Sequence, residues 1–78
     1  MKNDEFWIRN YEVENKIAEF RRERGLSQKE LGDILGLSAS GISTIERGAA
    51  IPTIRLANII ALFFEVPVDE IFIFRRKR

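Results

Sequence analysis

Neither cysteine nor histidine occurs in the 78 residues of this chain. Without cysteine there is no disulfide framework and no thiolate metal site. Without histidine the commonest general base and metal ligand is missing as well. No apolar run approaches the ~20 residues that a membrane span requires, and the opening stretch MKNDEFWIRNYEVE carries acids where a signal peptide carries bases. The expectation is a soluble, unprocessed, cytoplasmic protein with no membrane partner. Phosphate-binding glycine loops, nucleophile elbows and metal-ligand spacings are absent too, so neither an enzyme nor a cofactor site is expected. The length fits one domain near the lower limit at which a hydrophobic core holds alone, which commits the apolar side chains to packing.

The net charge is only +1, a weak sign of a nucleic-acid partner if spread evenly. It is not even. Lys2 and Arg9 are set against Asp4, Glu5, Glu12 and Glu14, residues 15 to 64 hold seven bases against five acids, and the chain closes with Arg75, Arg76, Lys77 and Arg78. An acidic head and a basic tail cancel. Such a tail also reads simply as a solvated end.

The pattern along the chain is one of helices and turns, with no repeat and no linker long enough to divide it. Val13, Ile17 and Phe20 recur at helical spacing ahead of Gly25, predicting a first helix over roughly 12 to 24. In LSQKEL, Ser27 and Glu30 have capping-box spacing, and Leu26 and Leu31 are placed as a hydrophobic staple. The second helix therefore starts there, buries Leu31, Ile34 and Leu35, and stops at Gly36. Ser38 caps a third helix in which Ile42 and Ile45 face inward and which Gly48 ends. Thr53 caps a fourth, with Leu56, Ile59, Ile60 and Phe63 spaced for burial, and Pro67 breaks it before a short helical turn, VDEIF. Asp69 and Glu70 look like a carboxylate pair but are explained as acids favoured in that turn by the helix dipole. Residues 71 to 74, IFIF, read equally well as a strand.

Two helices joined by a tight turn containing Gly36 match the helix-turn-helix. From RERGLSQKELGDILGLSASGISTIERG through IPT to LANIIALFFEVPVDEIF, the chain resembles the Xre/Cro-type, lambda-repressor-like helix-turn-helix regulators over roughly residues 15 to 72. The resemblance implies an all-α, five-helix domain, possibly with a C-terminal strand, preceded by an extension at 1–14 and followed by a strand and basic tail at 73–78. In it Gly32 occupies a small-residue position that lets the second and third helices touch.

What the resemblance implies for function is DNA binding by a transcription regulator, expected to be a homodimeric repressor on a pseudo-palindromic operator. The third helix, about 38–47, would lie in the major groove of double-stranded DNA, with Ala39, Ser40, Ser43 and Thr44 facing base edges. Small side chains let a helix sit deep, hydroxyls serve several bases, and Ala39 or the Thr44 methyl suits a thymine methyl. Ser27, Gln28, Arg47 and the backbone near Thr53 would hold phosphates, and Arg21 would pair with Glu46 in a partly buried structural ion pair. Two features depart from the family. Ala49, Ala50 and Ile51 replace the basic or polar residues common after the third helix, and no Arg or Gln stands in its first turn to read a base bidentately. The alternative is an antitoxin or other protein-interaction module on the same fold, with Phe6, Trp7, Ile8 and Tyr11 at the partner or packed on the body.

Dimerisation is expected at the C-terminal end. The run IFIF exceeds what one small body can bury, and a lone strand invites pairing, with residues 6 to 8 or with a second copy. Val66, Pro67, Val68, Ile73 and Phe74 are the interface candidates. The operator sequence and any effector are not legible in the chain.

Overall fold

A computed structural model of the chain describes residues 11–76. They form β1 (Tyr11–Asn15), α1 (Ile17–Glu23), α2 (Gln28–Leu35), α3 (Ala39–Glu46), α4 (Ile54–Phe64), α5 (Val68–Ile71) and β2 (Phe72–Arg76). Five helices dominate, and the two ends of the described chain meet as an antiparallel two-stranded ladder. Among the described residues no helix is long and apolar enough to cross a membrane.

Local chemistry sets most of the boundaries. The Ser27 hydroxyl accepts from the Glu30 amide at 3.0 Å while the Glu30 carboxylate accepts from the Ser27 amide at 2.8 Å, the reciprocal capping box. The hydrogen bond from the Ser27 amide, with the Ser27 hydroxyl second, holds the Glu30 carboxyl below its ordinary pKa. Ser38 caps α3 through the Gly41 amide at 2.9 Å, and Thr53 caps α4 through the Leu56 amide at 3.1 Å. Gly36 ends α2 at φ +77°, a left-handed conformation open to glycine at little cost, so the chain reverses at once into α3.

The core forms where the helices converge. Ile17, Leu31, Ile42, Ile60 and Ile71 are sealed, with Ile45, Ala61, Phe64 and Phe72 around them. Burying each such side chain is worth roughly 1.5–3 kcal/mol. Phe20 and Phe63 pack on Phe64 at ring-centroid separations of 5.6 and 5.0 Å, and the Arg24 guanidinium lies 5.0 Å from the Phe63 ring centre.

Two expectations are corrected. The first helix does not begin at residue 12: Glu12, Val13 and Glu14 alternate outward and inward in β1, and α1 starts at Ile17. The four-residue step from Val13 to Ile17 mimicked a helical period, whereas the acids on either side of Val13 obey the two-residue period of a strand. Ile34 (51% exposed) and Ile59 (40% exposed) are not buried. In α2 the inward side runs through Leu31, Gly32 and Leu35, and in α4 through Ala57, Ile60, Ala61 and Phe64, which turns both isoleucines outward. β2 pairs along one edge with Tyr11–Asn15, Val13 opposite Phe74 and Asn15 opposite Phe72; the expected pairing with residues 6 to 8 falls outside the described residues. Phe6, Trp7 and Ile8, like Lys77 and Arg78, lie outside the described residues.

Gly32 allows a closer approach than side-chain size between two helices would suggest. Its missing Cβ would run into the carbonyl oxygen of Leu37, in the turn that leads into α3, and would stand 3.2 Å from the Ser38 carbonyl carbon. Backbone occupies that space, and it cannot rotate away as a side chain would. Gly32→Ala should therefore destabilise the protein by about 1–3 kcal/mol despite the better helix propensity of alanine. Thermal melting is the check, with a fall of at least ~5 °C expected for a chain of this size.

Candidate nucleic-acid interface

The sequence of α3, ASGISTIE, divides it into two faces. Ile42 and Ile45 are buried and anchor the helix, while Ser40 is exposed and Ala39, Ser43 and Thr44 are half-exposed. Bulk is lacking at the start of the outward face, so its backbone is open to close approach. The hydroxyl of the half-exposed Thr44 donates to the Ser40 carbonyl at 2.8 Å, which leaves it able to accept. Arg47, at the C-terminal end of α3, is exposed and its Nε lies 3.4 Å from the Ser43 hydroxyl. Among the residues singled out from the sequence, Ala39, Ser40, Ser43, Thr44 and Arg47 therefore belong to one short helix and its cap. Ser27 and Gln28 open α2, and Thr53 opens α4.

A charged cluster fixes that helix. Arg21 of α1 and Glu46 of α3 are joined by a fork, Nε to Oε2 at 2.7 Å and Nη2 to Oε1 at 3.3 Å, with side chains only 9% and 6% exposed. The Arg21 Nη1 donates further to the Leu26 carbonyl at 2.8 Å. Gln28 completes the cluster by donating its amide nitrogen to Glu46 Oε1 at 3.0 Å. The Glu46 carboxylate thus ties α1 and α2 to the end of α3. Burial opposes its ionisation, but the hydrogen bonds from Arg21 and Gln28, with the charges of Arg21 and Arg22, outweigh burial and hold its pKa below the ordinary 4.5.

The bond from Gln28 to Glu46 and the parts played by Asn15 and Arg22 escaped the sequence reading. Gln28 commits one amide hydrogen to Glu46, leaving its second hydrogen and its oxygen for another partner. Asn15 donates to the Ile45 carbonyl at 2.9 Å and accepts from the Ile17 amide at 3.2 Å, so it links β1, the start of α1 and the end of α3. An Asn two residues before a helical run is the one available signal, and the strand pattern around it hid the link. Arg22 is exposed, and its charge is felt at Glu46.

The interface candidates separate. Val66 packs against the core, Pro67 and Val68 start α5 at the surface, and Ile73 and Phe74 point to opposite faces of β2, Ile73 half-buried and Phe74 exposed.

Comparison with known proteins gives a consistent result. The helix-turn-helix family pattern matches residues 17–71. An uncharacterised HTH-type transcriptional regulator of Methanocaldococcus jannaschii is 39% identical over 62 residues, covering 80% of this chain and 94% of that protein. The uncharacterised HTH-type transcriptional regulator YgzD of Bacillus subtilis is 32% identical over 60 residues, covering 77% and 91%. An uncharacterised HTH-type transcriptional regulator of Archaeoglobus fulgidus is 36% identical over 62 residues, covering 80% and 89%.

The Glu46 cluster yields a pH-dependent prediction. Glu46→Ala leaves Arg21 buried without its partner, at a cost of about 3–5 kcal/mol at neutral pH. A carboxyl with a depressed folded-state pKa adds stability that is complete above its unfolded-state value and is lost as pH falls through the folded-state value. The difference in melting temperature between the parent and Glu46→Gln should accordingly be constant above about pH 5 and shrink below pH 4.5. A variant melting with the parent at pH 7 would contradict the buried pairing.

Proposed function

The chain belongs to the helix-turn-helix family of DNA-binding transcription regulators, and from that premise we propose that it acts as a homodimeric, Cro-like repressor. Two copies of α3 enter successive major grooves of a pseudo-palindromic operator, about 34 Å apart, and block polymerase or a competing factor by occupancy. The observation that carries the reading is the division of α3, whose isoleucines lock one face into the core while its small and hydroxylated residues face out. In this reading residues 15–72 are the DNA-binding body, 1–14 an extension and 73–78 a strand and basic tail. The protein works in the cytoplasm, with double-stranded DNA as its partner and no cofactor.

Ala39, Ser40, Ser43 and Thr44 read base edges, and Ser27, Gln28, Arg47 and the backbone at Thr53 hold phosphates. The roles differ in kind. Phosphate contacts fix register and orientation, and base contacts discriminate. Gln28 is well placed for the first task because Glu46 holds its amide at the start of α2, leaving one hydrogen to donate. Glu30, kept ionised at the same helix start, opposes an incoming phosphate, so this end orients the DNA more than it attracts it. Attraction falls chiefly to Arg47 and Arg22.

Binding measurements on a set of duplexes test these assignments. Arg47→Ala should weaken every duplex by a similar factor and lower the salt slope by about one, because one phosphate contact is lost. Thr44→Ala should instead change the rank order of sequences. Parallel losses for both variants on all duplexes would remove α3 as the reader. Affinity insensitive to salt would favour the protein-interaction module.

A further inference from the structure

The C-terminal end of α3 closes on itself through local hydrogen bonds. The Arg47 amide donates to the Ser43 carbonyl, the Ala49 amide to the Thr44 carbonyl and the Gly48 amide to the Ile45 carbonyl, each at 3.0 Å, with Gly48 at φ +77°. Those bonds give the helix end its shape. None of them fixes where that end stands against the rest of the body, because every partner is a near neighbour in sequence. The Ile45 carbonyl has a second lone pair, and with it accepts from the Asn15 side chain at 2.9 Å, across 30 residues of chain.

Asn15 is itself held in place. It is the last residue of β1, opposite the buried Phe72, and the next amide, that of Lys16, donates to the Ile71 carbonyl at 2.8 Å, so the ladder sets its backbone. Its side chain is set as well. The Ile17 amide, a donor, faces the side-chain oxygen at 3.2 Å, which turns the Nδ2 end of the half-buried amide to Ile45.

From this arrangement we propose that Asn15 is a positioning residue for DNA recognition, its amide carrying the register of the β1–β2 ladder to the reading helix, an inference that rests on α3 being the reader. Ser43 and Thr44 immediately precede Ile45. A helix of eight residues is about 12 Å long, so moving its end by about 1 Å tilts it by roughly 5° and carries those hydroxyls beyond the ~0.5 Å within which a binding constellation must be held. The Glu46 cluster does not make Asn15 redundant. It ties the end of α3 to α1 and α2 through a side chain, whereas Asn15 ties the preceding backbone carbonyl to β1, and two ties at adjacent residues fix rotation as well as place.

Two substitutions separate the remote bond from the local one. Asn15→Ser can serve the Ile17 amide without reaching Ile45, and Asn15→Asp keeps an oxygen for the Ile17 amide but turns another on the Ile45 carbonyl. The full chain is measured on a duplex selected from a random pool and on a scrambled duplex of the same composition, at a temperature where circular dichroism shows each variant folded. Asn15→Ser should lower affinity for the selected duplex by about tenfold and for the scrambled one by less than about twofold, with the salt slope unchanged because no phosphate contact is lost. Asn15→Asp should change the ratio of the two affinities at least as much. An equal loss on both duplexes, or no loss, would overturn the inference. Thr44→Ala tells which claim has failed: a changed ratio there with an unchanged ratio in both Asn15 variants keeps α3 as the reader and removes Asn15 from recognition, whereas a ratio unchanged in all three removes the reader and the inference together. The parent supplies a check that no folding defect can obscure. One side-chain amide proton of Asn15 should resonate downfield and exchange slowly with solvent, and two fast-exchanging protons at the shifts of free asparagine would overturn the proposal.

Discussion

The Glu46 carboxylate is almost wholly shielded from water, and a charge so placed is tolerable only where donors surround it. Arg21 supplies a two-pronged contact and Gln28 a third hydrogen bond, each from a different helix. The geometry of the helix-turn-helix is therefore written twice, once in isoleucine packing and once in hydrogen bonds of fixed direction. Packing alone lets a short helix slide or roll, since an apolar face has no preferred azimuth to within a fraction of a turn. A carboxylate held by a guanidinium fork does not permit that. Asn15 adds a further tie by capturing the carbonyl of Ile45, next to Glu46, so the end of α3 is held from three sides. The N-terminal half of α3 is held by its Ser38 cap, by the buried Ile42 and by the close backbone approach of Leu37 and Ser38 to Gly32.

Where residue chemistry acts locally, the sequence was legible. Ser27 with Glu30, Ser38, Thr53 and Gly36 each fix a helix end through hydrogen bonds or torsions spanning four residues or fewer, and the structure has those ends in place. Legibility failed where two periods fit the same residues. Val13 suits a helix with Ile17 and a strand with Glu12 and Glu14, and only the presence of β2, some sixty residues away, decides. Ile34 and Ile59 failed for a related reason: an apolar residue at the margin of a stripe is buried or exposed according to which neighbour the helix meets. For the interface, which residues share a helix face could be read, but the bond from Gln28 to Glu46 could not, because it spans two helices whose relative placement depends on the whole fold.

On the proposed reading, the outward face of α3 sets a limit on recognition. A bidentate side chain gives ~1–3 kcal/mol of discrimination per base pair, and single hydroxyls give less. Specific regulators exceed their non-specific binding by roughly 4–10 kcal/mol. Three hydroxyls and a methyl on one short helix fall short of the upper part of that range. Two mechanisms raise the total without a longer reader: the shape and deformability of the operator, and duplication of every contact by a second copy. Small side chains favour the first, because a helix seated deep in the groove is sensitive to groove width over its length.

Duplication helps only if the two readers are held at the spacing of the DNA. A flexible link between them would waste much of the second copy's binding in ordering the pair. On the dimer reading the body meets part of that requirement: Glu46 and Asn15 fix the end of α3 to α1, α2 and β1, so little is spent in ordering the reader within each copy.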